Sequence, residues 1–192
     1  MKPARHDVDI DPRATNKIPF LLLDPQFIWR PIAAIQPTAP VRLTIPGHGL
    51  PGRWPVWFEQ VDGFADLNRD KDRQPFRLAD VVDADTIELN ELNGMGLSAA
   101  GGVLVYRAPI DLTDCLAELH IRLAGQELVL STVAGGLQVA GLGQLDAVIT
   151  LEQSAALPLG RGEYDLYVTD SLGERLPWLG GAITVGRRDC HA

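Results

Sequence analysis

Cysteine is scarce. Cys115 and Cys190 are the only two in 192 residues, and Cys190 sits in the terminal stretch RRDCHA. Two thiols do not make a disulfide framework, and Cys190 reads as a free thiol. A chain made and kept in reducing cytoplasm is the expectation. Basic charge is scarce too: 17 Lys and Arg stand against 25 Asp and Glu, for a net charge of −8. That balance argues against a nucleic-acid partner, which needs a basic face, and against docking on an anionic membrane. Long apolar runs are missing. IPFLLL (18–23) is far short of the roughly 20 residues that cross a bilayer. It lacks a basic leader and a small-residue cleavage site, so no signal peptide is expected.

Chemical signatures are also missing. The four histidines are His6, His48, His120 and His191, and none falls in H-x-x-x-H or beside C-x-x-C, so no zinc site is expected. There is no G-x-S-x-G elbow, no phosphate-binding G-x-x-x-x-G-K-[ST], and no G-x-G-x-x-G after a strand. The acids are scattered and mark no glycosidase pair. GGLQVAGLGQL (135–145) lies in β context and reads as hairpin turns. His48, in PGHGLPG, reads as a turn histidine capping backbone groups, and His120 as a strand-face residue. No cofactor, no metal and no enzymatic activity are expected.

What is present is proline in the wrong place for helices. Pro3, Pro12, Pro19, Pro25, Pro31, Pro37 and Pro40 fall in the first 40 residues, which blocks a long helix. The segment is nevertheless apolar, carrying Phe20, Leu21, Leu22, Leu23, Phe27, Ile28, Trp29, Ile32 and Ile35, unlike a disordered linker. Residues 1–40 therefore read as an extended arm that must bury its side chains, either on its own domains or on a neighbouring subunit. Phe20, Leu22, Phe27, Ile28 and Trp29 are the candidate docking residues.

From residue 41 the pattern is β throughout, and the fold class is all-β. VRLTI (41–45), WPVWFEQV (54–61), PFRLADVV (75–82), TIELNEL (86–92) and GVLVYR (102–107) are short, β-branched or aromatic, and bounded by turn residues. They predict a small β-barrel over 41–108. CLAELHIRL (115–123), QELVLSTV (126–133), LQVA (137–140), QLDAVITL (144–151), EYDLYVTD (163–170) and RLPWLGGAITV (175–185) predict a β-sandwich over 109–186. LEQSAALP (151–158) is the one helical turn, ended by Pro158. Residues 187–192 form a tail.

GFADLNRDKDRQPFRL (63–78) places Asp66, Asn68, Asp70 and Asp72 at the alternating spacing of calcium ligands. Lys71 stands where the required glycine would be and Arg77 where a bidentate acid would be. The stretch is therefore expected to be a charge-balanced hairpin loop. Trp54, Trp57, Phe58 and Phe64 cluster nearby. A core role is the default, and a sugar-stacking platform is the alternative. Trp54 and Trp57 have opposite parity, so a regular strand exposes one of them.

HGLPGRWPVWFEQVDGFADLN, PFRLADVVDADTIELNEL and GGVLVY, within residues 47–106, resemble a repeat found in many tailed-phage virion proteins. That repeat is similar to the first catalytic cysteine half-domain of ubiquitin-activating enzymes. The matching positions are His48, Gly49, Gly52, Gly63, Phe64, Leu67, Asn68, Asp83, Asp85, Thr86, Ile87, Leu89, Gly101 and Gly102. Arg53 departs from the pattern, which usually has an acid there. The segment contains no cysteine, so ubiquitin-like activation is not implied. DLTDCLAELHIR, ITLEQSAALP, YDLYVTDSLGER and WLGGAITV, within residues 111–185, resemble a second phage module, one that recurs in baseplate or fibre-anchoring proteins with an immunoglobulin-like sandwich. Together the resemblances imply a non-enzymatic structural component of a tailed-phage or prophage virion, in the tail, baseplate or neck and assembled in host cytoplasm. Its partners would be other virion proteins and copies of itself in a ring or array. A capsid decoration protein and a host-surface carbohydrate-binding module are the alternatives. On this reading, removing residues 1–40 leaves both domains folded.

Overall fold

In the structure, a computed structural model describing residues 4–186, strands dominate and helix is nearly absent. Expectations for the tail, including Cys190 and His191, lie outside the described residues. The chain divides into two units. Unit 1 combines the residues up to Leu22 with those from Asp111 onward, and unit 2 is Leu23–Ile110. Unit 2 is thus inserted in the sequence of unit 1. The expected boundary at residue 40 falls inside unit 2, so residues 1–40 do not form a separate segment.

Unit 1 is built from β1 (Ala4–Arg5), β2 (Val8–Ile10), β3 (Asn16–Leu21), β11 (Leu116–Leu123), β12 (Gln126–Ser131), β13 (Leu137–Gly141), β14 (Gln144–Ile149), β15 (Gly160–Thr169) and β16 (Arg175–Val185). One sheet runs β1-β16-β15-β11-β12, with β2 also on β16, and a second runs β13-β14-β3. The two N-terminal strands pair parallel with β16, while β3 pairs antiparallel with β14 from Asn16–Ile149 to Leu21–Gln144. Alternation decides which side chains are buried. Ile18, Phe20 and Leu22 turn inward from the β3 segment, Leu145, Ala147 and Ile149 from β14, and Leu119, Ile121, Tyr164, Leu166 and Val168 from the facing sheet. Phe20 meets Tyr164 at 5.8 Å between ring centroids, so the two sheets pack face to face. Burial pushes the Tyr164 phenol well above its ordinary pKa, with Asp7 and Asp165 adding to the shift. Its hydroxyl donates to the His6 carbonyl at 2.6 Å.

A single short helix, α1 (Leu151–Ala156), follows β14. Thr150 caps it reciprocally with Gln153: the Gln153 N–H donates to Thr150 Oγ1 at 3.2 Å and the Thr150 N–H to Gln153 Oε1 at 2.9 Å. Asn16 Nδ2 donates to the buried Ser154 hydroxyl at 3.0 Å, fastening this helix to β3.

Unit 2 is one curled, half-barrel sheet. Its strands are β4 (Leu23–Pro31), β5 (Ala34–Gln36), β6 (Val41–Thr44), β7 (Trp54–Glu59), β8 (Arg77–Val81), β9 (Thr86–Leu89) and β10 (Val103–Pro109), ordered β4-β10-β7-β8-β9-β6-β5. β4 and β5 are two halves of one bent strand. The Ile32 N–H donates to the Gly102 carbonyl and the Ala33 N–H to the Thr44 carbonyl. The first half is therefore held by β10 and the second by β6. Val41, Leu43, Trp54, Val56, Phe58, Ile87, Leu89 and Leu104 fill the concave side with no exposure.

The N-terminal segment is the main correction. Its prolines do not leave an arm, because Pro19 sits within β3 and Pro25 and Pro31 within β4, which is a terminal strand of its sheet. Such positions tolerate a missing N–H. Phe20 and Leu22 are 2% and 1% exposed in the core of unit 1, so neither is able to dock a partner.

Candidate functional site

The residues on which the first resemblance rests act as scaffold in unit 2. His48 is buried: its Nδ1 accepts the Leu50 N–H and its Nε2 lies 3.0 Å from the Asp83 carbonyl. The His48 carbonyl in turn accepts the Tyr106 hydroxyl at 2.5 Å. Asp85 accepts the Gly47 N–H at 2.8 Å, and Asp83 accepts the Asp85 N–H at 2.9 Å. That bond and a second from the Thr86 side chain hold the Asp83 carboxyl below its usual pKa. Two turns, one around His48 and one at 83–86, are thereby tied together. Gly49 and Gly52 stand on the first of them with open space at their Cα atoms. Gly63 has φ +72, and a Cβ there would lie 1.8 Å from the Ser98 carbonyl oxygen, so only glycine fits. Phe64 and Leu67 are buried beside a 3-10 turn, Ala65–Leu67. The Asn68 side chain accepts the Val61 N–H and donates to the Val61 carbonyl, both at 2.8 Å.

The acids of the loop serve the loop itself. Asp70 accepts the Asp72 N–H at 2.8 Å and pairs with Arg73, while Lys71 pairs with Asp72. Arg77, buried, donates to the Asp66 carbonyl and pairs with Glu91. Among the described residues no group of three or more His, Cys, Asp or Glu is placed to hold a metal.

What the fold presents outward is an aromatic face on the convex side of unit 2. Register builds it: Trp29 lies opposite Val105 on β10, Val105 opposite Trp57 on β7, and Phe27 opposite Arg107. Phe27 is 6.1 Å from Trp29 and 5.7 Å from Trp57, and Trp57 is 6.1 Å from Phe76. Together these rings cover Val105, which has no exposure, while Trp29 remains 51% and Phe76 49% exposed. The loop borders the face, its Gln74 carbonyl accepting the Trp57 indole N–H at 3.0 Å. Two cations flank Phe27. The Arg107 guanidinium stacks 4.5 Å from the ring centroid and Lys71 Nζ lies at 5.4 Å. Arg107 Nε is buried without a hydrogen-bond partner among the described residues.

Of the five candidate docking residues, then, Phe27 and Trp29 lie on this face. Ile28 points to its other side, and Phe20 and Leu22 belong to the other unit's core. Trp54 is fully buried, its indole N–H donating to the Arg107 carbonyl at 2.9 Å, so it is not a sugar platform. Phe76, Lys71 and Arg107 were not legible as face residues. Alternation within one strand cannot show which strands and loops are neighbours, so the sequence carried no signal for them. No protein-family model matches the chain, and no curated protein matches it.

Proposed function

We propose that this protein is a non-enzymatic structural component of a tailed-phage or prophage virion, holding other virion proteins through unit 2. The observation that carries the reading is the exposed aromatic face with its two flanking cations. A face of this composition favours a docked partner, because aromatic and Arg side chains dominate interface energies. The polar pattern residues around His48, Asp83 and Asn68 are spent on turns, which suits a module whose role is to keep a surface rigid. Two face-to-face sheets in unit 1 support the sandwich part of this reading, although they take in strands from residues 4–21 that the expected 109–186 module left out. On this reading the docking element is the face formed by β4 with β10, β7 and β8, in place of a free N-terminal arm.

The test is mass spectrometry of purified particles released from the host that encodes this chain. The protein is expected in intact particles at a fixed stoichiometry to the major tail protein. Its absence from washed particles, with free protein abundant in the lysate, would sink the proposal.

A further inference from the structure

The face has an open edge beside it. Among the described residues β4 pairs only with β10, along the edge that includes Ile28–Tyr106 and Arg30–Leu104. Ile32 donates to Gly102 in the same register. In an antiparallel ladder, hydrogen-bonded and non-hydrogen-bonded pairs alternate. Ile28 and Arg30 therefore direct their backbone groups at β10, and Phe27 and Trp29 direct theirs away from it, toward the free edge. The same two residues carry the rings at that end of the face. Prolines close the slot at both ends: Pro25 and Pro31 have no N–H to offer, which leaves Gln26–Arg30 as the span on which another strand can form. Gln26, Trp29 and Arg30 are exposed.

Charge narrows the occupant. Arg30 makes no ion pair among the described residues, and Arg107 has no carboxylate partner there. An unpaired, exposed Arg30 guanidinium at this edge, in a chain of net charge −8, favours an anionic ligand locally. The ring geometry narrows it further. The interplanar angles along the row are 55°, 78° and 82°, so Trp57 stands edge to face with Phe27 and Phe76 while Trp29 is tilted on Phe27, and the row forms ridges and clefts. A stack of sugar rings needs flatter platforms, whereas side chains of an extended peptide enter clefts of this kind.

We propose that unit 2 captures an extended acidic segment of a partner protein, which adds as a strand to the free edge of β4 at Gln26–Arg30. The partner's main chain pairs with Phe27 and Trp29, its apolar side chains lie against Trp29 and Phe27 on one side of the added strand, and its carboxylates meet Arg30 on the other. This rests on the assembly reading above and names the chemistry of the partner.

The experiment uses the full chain and a fluorescein-labelled hexapeptide alternating leucine and aspartate, read by fluorescence anisotropy. Saturable binding that weakens as salt rises is expected. Methylating alternate backbone nitrogens of the peptide is expected to weaken it at least about tenfold, because the edge hydrogen bonds are lost. Trp29→Ala is expected to weaken it by a similar factor. Arg30→Glu reverses the preference toward a leucine–lysine peptide, and it remains informative if Trp29→Ala disturbs folding. The proposal is overturned if the lysine peptide binds the unaltered protein as well as the aspartate peptide, if N-methylation has no effect, or if an oligogalacturonate binds this face and the peptide does not. Particles carrying the Trp29→Ala, Arg30→Glu chain at normal copy number would refute this inference alone. Particles that never contain the chain would refute the assembly reading.

Discussion

Deleting residues 1–22 separates a docking arm from a structural strand. The deletion removes β1, β2 and β3, and with them Ile18, Phe20 and Leu22, which are 7%, 2% and 1% exposed, as well as Ile10, which is fully buried. Burying a large apolar side chain contributes roughly 1.5–3 kcal/mol, so the three from the β3 segment supply about 5–9 kcal/mol. That is comparable to the whole stability of an ordinary domain, about 5–15 kcal/mol. The deletion also leaves β14 without its partner and the Leu145, Ala147 and Ile149 surface uncovered. Unit 1 is expected to unfold at room temperature while unit 2, Leu23–Ile110, retains its transition. Tryptophan reports this cleanly, because Trp29, Trp54 and Trp57 lie in unit 2 and Trp178 in unit 1. Thermal melts followed by circular dichroism and by fluorescence of a Trp178→Phe version give one reading for each unit. A truncated protein that keeps the full strand signal and the same transitions as the intact chain would show that residues 1–22 are an appendage after all. Phe20→Ala is the milder form and should cost about 3–5 kcal/mol.

Leu67→Ala should lower the unit 2 midpoint, since Leu67 is fully buried and such truncations cost about 2–5 kcal/mol. EDTA should leave that midpoint unchanged in a parallel calorimetric scan. Gly63→Ala forces a Cβ onto the Ser98 carbonyl at positive φ and is expected to destabilise by about 2–3 kcal/mol in urea titrations. The raised Tyr164 pKa has a definite sign. The folded state favours the protonated phenol, so its contribution is complete below the ordinary tyrosine pKa near 10 and is lost as pH rises above it. Alkaline unfolding of unit 1 should accordingly begin above about pH 10, and Tyr164→Phe should flatten that dependence.

Residue types and their alternation determined the local structure of this chain. The β-class, the turn chemistry around His48 and Asn68, and the helical turn at 151–156 all follow from neighbours in sequence. Alternation also indicated that Trp54 and Trp57 would face opposite ways. It does not specify which strands lie side by side, because a strand satisfies its hydrogen bonds with any suitable partner, near or far in the chain. Only the tertiary structure decided that residues 16–21 pair with 144–149 across more than a hundred intervening residues, which turned an apparent arm into a core strand. The same long-range register placed Trp29 opposite Val105 and Val105 opposite Trp57. The aromatic face exists because three strands distant in sequence bring their outward residues into one row, and sequence periodicity carries no information about that juxtaposition.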